Sequence, residues 1–345
     1  MKRSLRRFAC LGLVFLFSPA GTSIAATVVW DVDSSVSYVR LTIDDQPVTV
    51  PGITGSVTMR LRDDNSTTQW TDAGGRRAAL DGQITTDYVN FTSIQFVSGA
   101  QGILALEQTE LRPNPTDWNA ATSSYNGTSS ALAALGARIR GTYLVTFDAA
   151  YMALRGVHLD IGSGVLPLDA SGAFAGNQSV FGITTALADT DGLALPLNLG
   201  QPVPDLRADP LPPTSGINTS GGLIENLGGR SRKLTYNINV PITISVDTVD
   251  ISGTATGLIV AYGTIPDQGI PFDFDGDGDV DKDDFAIFSA CVTGPAVAGP
   301  PAGCTPAQFS ACDRDGDNNV DQADFGMFQR CYTGANKPGQ PACAQ

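Results

Sequence analysis

The sequence predicts an all-β fold, an antiparallel β-sandwich, followed by a small α-helical module that carries two acidic loops. Three observations support this prediction. Apolar and polar residues alternate along several segments before residue 265, as in strands with one buried face. The chain is rich in turn-forming residues, with 38 glycines and 21 prolines, and only 16% of its residues are charged. An acidic loop that starts at Asp273 recurs 40 residues later, at Asp313.

Residues 1–26 have the three parts of a secretory signal. The basic residues come first, namely Lys2, Arg3, Arg6 and Arg7. An apolar core follows over 11–17, which is too short to span a bilayer alone, and the small residues Ser23 and Ala25 on either side of Ile24 provide a cleavage site. Because no later segment is long and apolar enough to cross a membrane, we expect a secreted protein, extracellular or at the cell surface, without a membrane span.

The predicted all-β domain covers residues 27–265, which is long enough for one large core. Alternation is clearest at 233–246, where Leu234, Tyr236 and Ile238 share one face. Strands are predicted at 27–32, 35–43, 57–62, 82–97, 137–149, 151–161, 180–187, 233–246 and 250–262.

Three segments of this domain depart from the strand pattern. The alanine- and leucine-rich stretch 129–135, followed by Gly136, predicts a helical turn. The proline-containing segments 111–128 and 198–231 are predicted to be long loops, which in compact domains are functional or disordered.

The β domain has no recognisable set of catalytic residues. Its chain contains three glutamates, Glu107, Glu110 and Glu225. The first two lie at odd spacing on or near a strand, which predicts opposite faces rather than the paired carboxylates of a glycosidase. His158 is the single histidine and lies within a strand pattern, which argues against a His-based triad or zinc site. We therefore predict a non-catalytic protein.

Net charge and aromatic residues indicate which classes of binding partner the chain could have. The net charge of −14 argues against nucleic acid and against anionic membrane surfaces. Trp70, Trp118 and Tyr125 are candidates for stacking on sugar rings, although aromatic residues more often anchor loops or cores. Polysaccharide binding therefore stays open as an alternative function.

Residues 273–284 have the spacing of a twelve-residue calcium loop. The side-chain ligands at loop positions 1, 3, 5, 9 and 12 would be Asp273, Asp275, Asp277, Asp281 and Asp284, and Asp279 at position 7 would ligate through its backbone carbonyl. Gly278 occupies position 6, where the loop must turn sharply. So many carboxylates in one loop repel one another strongly unless a cation lies between them.

A second loop repeats the pattern with its own six ligand positions. They are Asp313, Asp315, Asp317, Asn319, Asp321 and Asp324. Each loop runs into two phenylalanines three residues apart, Phe285 and Phe288 in the first copy and Phe325 and Phe328 in the second, which predicts one apolar helix face per copy. We expect two Ca²⁺ ions rather than a solvated acidic tail, because a disordered tail gives no reason for phenylalanines at helical spacing.

The tail, residues 273–345 after a linker at 266–272, resembles the dockerin type I family, in which a calcium loop followed by a helix is duplicated. The resemblance rests on aspartate at loop position 12, Asp284 and Asp324, and on the prolines before the first loop, Pro266 and Pro271, which leave no room for an incoming helix. It implies docking onto a cohesin-like protein, often in polysaccharide-degrading assemblies. It also implies which residues contact that partner, namely Lys282, Asp283, Gln322 and Ala323.

Five of the six cysteines lie in the tail, and export makes disulfides chemically allowed. Cys291 corresponds to Cys331 in the repeat, and Cys304 corresponds to Cys343, whereas Cys312 has no counterpart. The symmetry leaves two schemes open, Cys291–Cys304 with Cys331–Cys343, or the crossed Cys291–Cys343 with Cys304–Cys331. We favour the first, since each bridge then closes a short loop within one repeat.

The sequence thus predicts a secreted, non-catalytic all-β protein whose calcium-binding module mediates attachment or assembly at the cell surface or matrix. The alternative is a carbohydrate-binding or polysaccharide-degrading component of an extracellular assembly. A third hypothesis is that calcium only stabilises the terminal module, which then has no partner.

Overall fold

The computed structural model describes residues 25–52, 55–63, 77–112, 118–119, 124–125, 131–142, 146–191, 209–246 and 249–345. The described residues are predominantly β-structure, with three short helices at the carboxy-terminal end, so the all-β prediction is confirmed. The secretory signal and Trp70 lie outside the described residues, apart from residues 25 and 26.

The strands are β1 (Ala26–Val32), β2 (Tyr38–Ile43), β3 (Gln46–Gly52), β4 (Gly55–Asp63), β5 (Arg77–Val89), β6 (Ser93–Phe96), β7 (Gly102–Ala105), β8 (Gln108–Arg112), β9 (Trp118–Asn119), β10 (Ser124–Tyr125), β11 (Ala131–Ala133), β12 (Leu135–Thr142), β13 (Thr146–Ser163), β14 (Leu166–Pro167), β15 (Ala173–Phe174), β16 (Ser179–Asp191), β17 (Asp209–Pro210), β18 (Thr214–Asn218), β19 (Gly222–Asn226), β20 (Ser231–Val246) and β21 (Val249–Thr264). The helices are α1 (Lys282–Cys291), α2 (Pro306–Cys312) and α3 (Gln322–Cys331).

The main strands follow one another in a circuit of antiparallel neighbours. β20 pairs with β21, β21 pairs with β1 and β2, and both of these pair with β5. β5 continues to β7, β7 to β13, β13 to β16, and β16 to β18. The end of β18 then lies beside β20, where the amide of Thr219 donates to the carbonyl of Asn239 at 3.0 Å. The order of neighbours therefore closes on itself around one core.

Alternating side chains from all these strands fill that core. Trp30, Tyr88 and Tyr236 are almost completely buried, at 0%, 1% and 0% exposure. The indole nitrogen of Trp30 donates to the hydroxyl of Thr86 at 2.8 Å, so this buried polar atom has a hydrogen-bond partner. Period-two patterning thus places one set of side chains inside, as the sequence predicted.

Two predictions for this domain are wrong. The predicted helical turn at 129–135 is instead β-structure from Ala131 onward, because β11 pairs with β8 and β12 pairs with β13. Pairing partners outside the segment decide its conformation, and they override the helix propensity of alanine and leucine. The predicted loop at 198–231 contains β17, β18 and β19 in its described part. These strands are only two to five residues long, so they carry little alternation.

The tail has a core of its own, separate from that of the β domain. The rings of Phe288 and Phe328 lie 5.1 Å apart between α1 and α3, so the two predicted apolar faces do meet. Phe272 packs against both rings, at 6.0 and 5.5 Å. Ile270 and Phe272, assigned to the linker from the sequence, therefore belong to the tail core.

The short helix α2 was not predicted from the sequence. Thr305 caps it, Pro306 starts it, and the Gln308 side chain accepts from the Thr305 amide in a capping box. Thr-Pro-x-Gln is a start signal that could have revealed this helix. None of the helices in the described residues has the length and apolar character needed to cross a membrane.

Candidate metal centres in the carboxy-terminal tail

The first acidic loop folds its carboxylates into two adjacent groups. Oxygen atoms of Asp273, Asp275 and Asp277 lie within 4.8 Å of one another. Oxygen atoms of Asp279, Asp281 and Asp284 form a second group within the same distance. The six residues that the sequence assigned to this loop therefore fall into two groups of three, and Asp279 contributes its side chain, rather than only its backbone carbonyl, to the second.

Backbone amides hold these carboxylates in place. The Asp284 carboxylate accepts from the amide of Phe274 at 2.6 Å and from the amide of Asp281 at 2.8 Å. Asp281 caps the start of α1 by accepting from the amide of Asp283. Asp284 thus links the beginning of the loop to the first turn of the helix, which closes the loop around its carboxylates.

Two carboxylate oxygens of this loop are buried without a hydrogen-bond partner. They are Oδ1 of Asp273 and Oδ1 of Asp279, and Asp279 is only 1% exposed. Burial, reinforced by the Asp284 carboxylate, raises the pKa of Asp273 to about 7, and burial together with Asp277 raises the pKa of Asp279 to about 7. Burial also raises the pKa of Asp284 to about 6. Such oxygens need either a proton or a cation.

The second loop has the same internal bonds. The Asp324 carboxylate accepts from the amides of Arg314 and Asp321, at 2.7 and 3.0 Å, and oxygens of Asp313, Asp315 and Asp324 lie within 4.8 Å of one another. The side chain of Asn319 is buried, and its Oδ1 has no partner. Asp317 and Asp321 accept from the amides two residues further on, as Asp277 and Asp281 do in the first loop. The repeat in sequence is therefore a repeat in structure.

Each loop is bonded to the segment that follows the other repeat's helix. The amide of Val280 donates to the hydroxyl of Thr333 at 3.1 Å, and the Val280 carbonyl accepts from the Thr333 amide at 2.9 Å. Val320 makes the same two bonds with Thr293, both at 3.0 Å. Both valines are fully buried. The two loops are consequently parts of one module rather than independent units.

Two disulfides fix the ends of the helices. Cys291 is bonded to Cys304 and Cys331 is bonded to Cys343, with 5.0 Å between the Cα atoms in each pair. This is the scheme that the sequence favoured over the crossed one. Cys312 is a free buried thiol, and burial raises its pKa to about 12.

The four residues that the family resemblance marks for partner contact lie at the first turns of two helices, α1 and α3. They are Lys282, Asp283, Gln322 and Ala323, and all four are exposed. Lys282 and Asp283 lie 3.5 Å apart as an exposed ion pair, which contributes little to stability. The amides of Asp283 and Ala323 donate to the N-cap carboxylates of Asp281 and Asp321.

Three residues of the β domain hold the first loop and were missed in the sequence. Arg232 and Asn90 both donate to the backbone carbonyl of Asp277, the latter at 2.9 Å. Asn226 donates to the Asp277 carboxylate at 3.0 Å. Arg232 lies on the inward-facing side of β20, in register with Leu234. In the sequence, an arginine at a position where the strand pattern predicts a buried side chain was the one indication of this contact.

No protein-family model matches this chain, and no curated protein or solved structure matches it either. The function must therefore be argued from the sites themselves.

Among the described residues, the candidate catalytic and sugar-binding residues of the β domain lie on different strands or between strands. His158 is exposed between buried neighbours, and Glu107 accepts from the Gly156 amide at 2.9 Å. Glu225 pairs with Lys233 at 2.6 Å. Trp118 and Tyr125 pair across β9 and β10, but their side chains lie outside the described part.

Proposed function

We propose that the tail binds two Ca²⁺ ions, one in each acidic loop. The observation that carries this proposal is the repeated set of buried side-chain oxygens without hydrogen-bond partners, in Asp273 and Asp279 of the first loop and in Asn319 of the second. Carboxylate and amide oxygens are the hard ligands that calcium prefers, and each loop has the spacing of a calcium loop. The residues present thus fit the ion.

The chain's own part in binding is to hold the ligands before the ion arrives. Asp284 and Asp324 are fixed by amides at both ends of their loops. Ligands fixed in this way lose less conformational freedom on binding. The bound ion supplies the positive charge that offsets repulsion among the carboxylates.

We further propose that the chain is a secreted, non-catalytic protein in which a dockerin-like module attaches a β-sandwich domain to a cohesin-like partner. The support is the exposed position of Lys282, Asp283, Gln322 and Ala323 on two equivalent helix starts. Disulfides in the tail fit an extracellular location.

Isothermal titration of the full chain with calcium tests the first proposal. We expect two ions per chain, reduced to one by Asp273→Ala and to one by Asp313→Ala. Asp283→Ala is the matched control, because Asp283 is an exposed acid of the same loop outside the proposed ligands, and it should leave two ions. The first loop should bind more tightly, since it has Gly278 where the second has Asn318. A wild-type chain that binds no calcium would refute the proposal.

Capture on an immobilised cohesin module tests attachment. We expect retention of the calcium-loaded chain, and loss of retention when Lys282→Ala and Gln322→Ala are combined. Gln329→Ala, an exposed glutamine on the outer face of α3, is the matched control and should be retained. Retention that ignores the double substitution would show that the contact residues are wrongly assigned.

Polysaccharide binding by the β domain is a second candidate, favoured by one cavity of about 370 Å³. Phe91 contributes aromatic surface to its wall, and Asp169 and Glu225 contribute polar groups. Aromatic faces with nearby hydrogen-bonding groups are typical of sugar sites. A glycan-array screen with Phe91→Ala as the comparison tests this, and equal signals from both proteins would count against it.

A further inference from the structure

The two acidic loops are equivalent in sequence but differ in what covers them. Asp277 and Gly278 of the first loop are buried, whereas their counterparts Asp317 and Asn318 are exposed. The covering surface is the β-domain edge formed by Asn90 and the hairpin 226–232, called the seam below. One loop is therefore docked on the chain's own β domain, and the other faces solvent.

A buried cation lies at the centre of the seam. Arg232 is 1% exposed, and its guanidinium donates to the Asp277 carbonyl, to Asn226 Oδ1 at 2.8 Å and to the Gly229 carbonyl at 2.8 Å. Among the described residues it forms no ion pair within 4.0 Å. Burying a charge is costly unless polar groups compensate it. The acidic loop supplies both a carbonyl acceptor and a strongly negative field at this position.

The seam also explains why the first loop has glycine at its sixth position. Gly278 has φ +89°, and a Cβ atom there would lie 2.0 Å from Asn90 Nδ2. Asn318 takes the same left-handed conformation in the second loop, with φ +69°, and its side chain points to solvent. The loop itself thus accepts asparagine, and contact with the β domain is what requires glycine.

We propose that the first calcium loop is an intramolecular docking element whose partner is the seam of the β domain, and that calcium in this loop is coupled to docking. The inference rests on the proposed calcium binding. Without the ion, repulsion among the carboxylates works against the loop shape that Arg232 and Asn90 recognise. Because coupling is reciprocal, a seam that holds the ordered loop also tightens calcium binding there. The second loop, with no seam contact, lacks this coupling.

Hydrogen–deuterium exchange of the full chain tests docking. We expect amides of 88–92 and 226–232 to exchange about tenfold faster after calcium removal. With calcium present, Gly278→Asn should produce the same increase, because the added side chain collides with Asn90. The matched control is Asn318→Gly, the reverse exchange at the exposed equivalent position, which should leave the seam protected. Unchanged seam exchange after calcium removal, or in Gly278→Asn, would overturn the proposal.

A β-domain variant tests the coupling without altering the first loop. In an Asp313→Ala background, where only the first site remains, Asn90→Ala should weaken calcium binding about tenfold. Asn177→Ala, an exposed asparagine in the same domain, should have no effect. Equal affinities for both variants would refute coupling while leaving calcium binding intact. Absence of any calcium binding by the wild-type chain would instead refute the proposed function.

Discussion

The tail core offers a matched pair of substitutions on one helix. Phe288 and Phe285 are three residues apart on α1, and both contact Phe328, with ring centroids at 5.1 and 5.7 Å. Phe288 is 1% exposed, whereas Phe285 is 42% exposed. Phe288→Ala removes a ring from a closed core that Phe272 also lines. The expected loss is about 3–5 kcal/mol of unfolding free energy, the transfer term together with the cavity that remains.

Phe285→Ala should cost only about 1–2 kcal/mol, because much of that ring stays in water and no closed cavity forms. Urea unfolding with excess calcium, followed by circular dichroism at 222 nm, measures both losses, since all helices of the described residues lie in the tail. Equal losses for the two variants would refute the reasoning from burial. A Phe288→Leu variant should recover part of the loss, as it refills most of the volume.

Three further predictions concern protons and thiols. The raised pKa values of Asp273 and Asp279 mean that the calcium-free native tail binds more protons than the unfolded chain between about pH 4 and about pH 7. The unfolding free energy of the calcium-free tail should therefore fall as pH rises through this window, and saturating calcium should reverse that trend. Urea unfolding midpoints at pH 5 and pH 7.5, with and without calcium, test the direction of the change. Replacing Cys343 by serine should cost about 3 kcal/mol by removing the bridge to Cys331, and Cys312→Ser should leave that bridge in place in non-reducing peptide maps. Cys312 should resist alkylation in the folded protein and react after unfolding, because it is buried and protonated at neutral pH; rapid labelling of the native chain would contradict this.

Local patterns account for the parts of the fold that were predicted correctly. Alternation at 233–246 placed Leu234 and Tyr236 inside before any partner strand was known. In the tail, the phenylalanine pairs predicted a helix after each acidic loop, and α1 and α3 lie there. These features depend only on residues close together in the chain, so they can be predicted from the sequence alone.

The errors arise where distant partners decide the outcome. The segment 129–135 has helical composition, yet pairing with β8 and β13 makes its described residues β-structure. The strands at 209–226 are too short to show a clear alternation, and pairing with β16 and β20 defines them. Burial and pairing with remote strands outweigh local propensity at such positions.

By itself, the sequence determined the predominantly β class of the large domain and the repeat of two acidic loops, each followed by a helix, because residue spacing and helix periodicity are local properties. Only the tertiary structure decided that the β domain covers the first loop and leaves the second exposed to solvent. The contact of Arg232, Asn90 and Asn226 with Asp277 joins residues between 45 and 187 positions apart. Nothing in the spacing of either loop encodes that contact, because it depends on how the whole β domain folds and where its seam meets the tail.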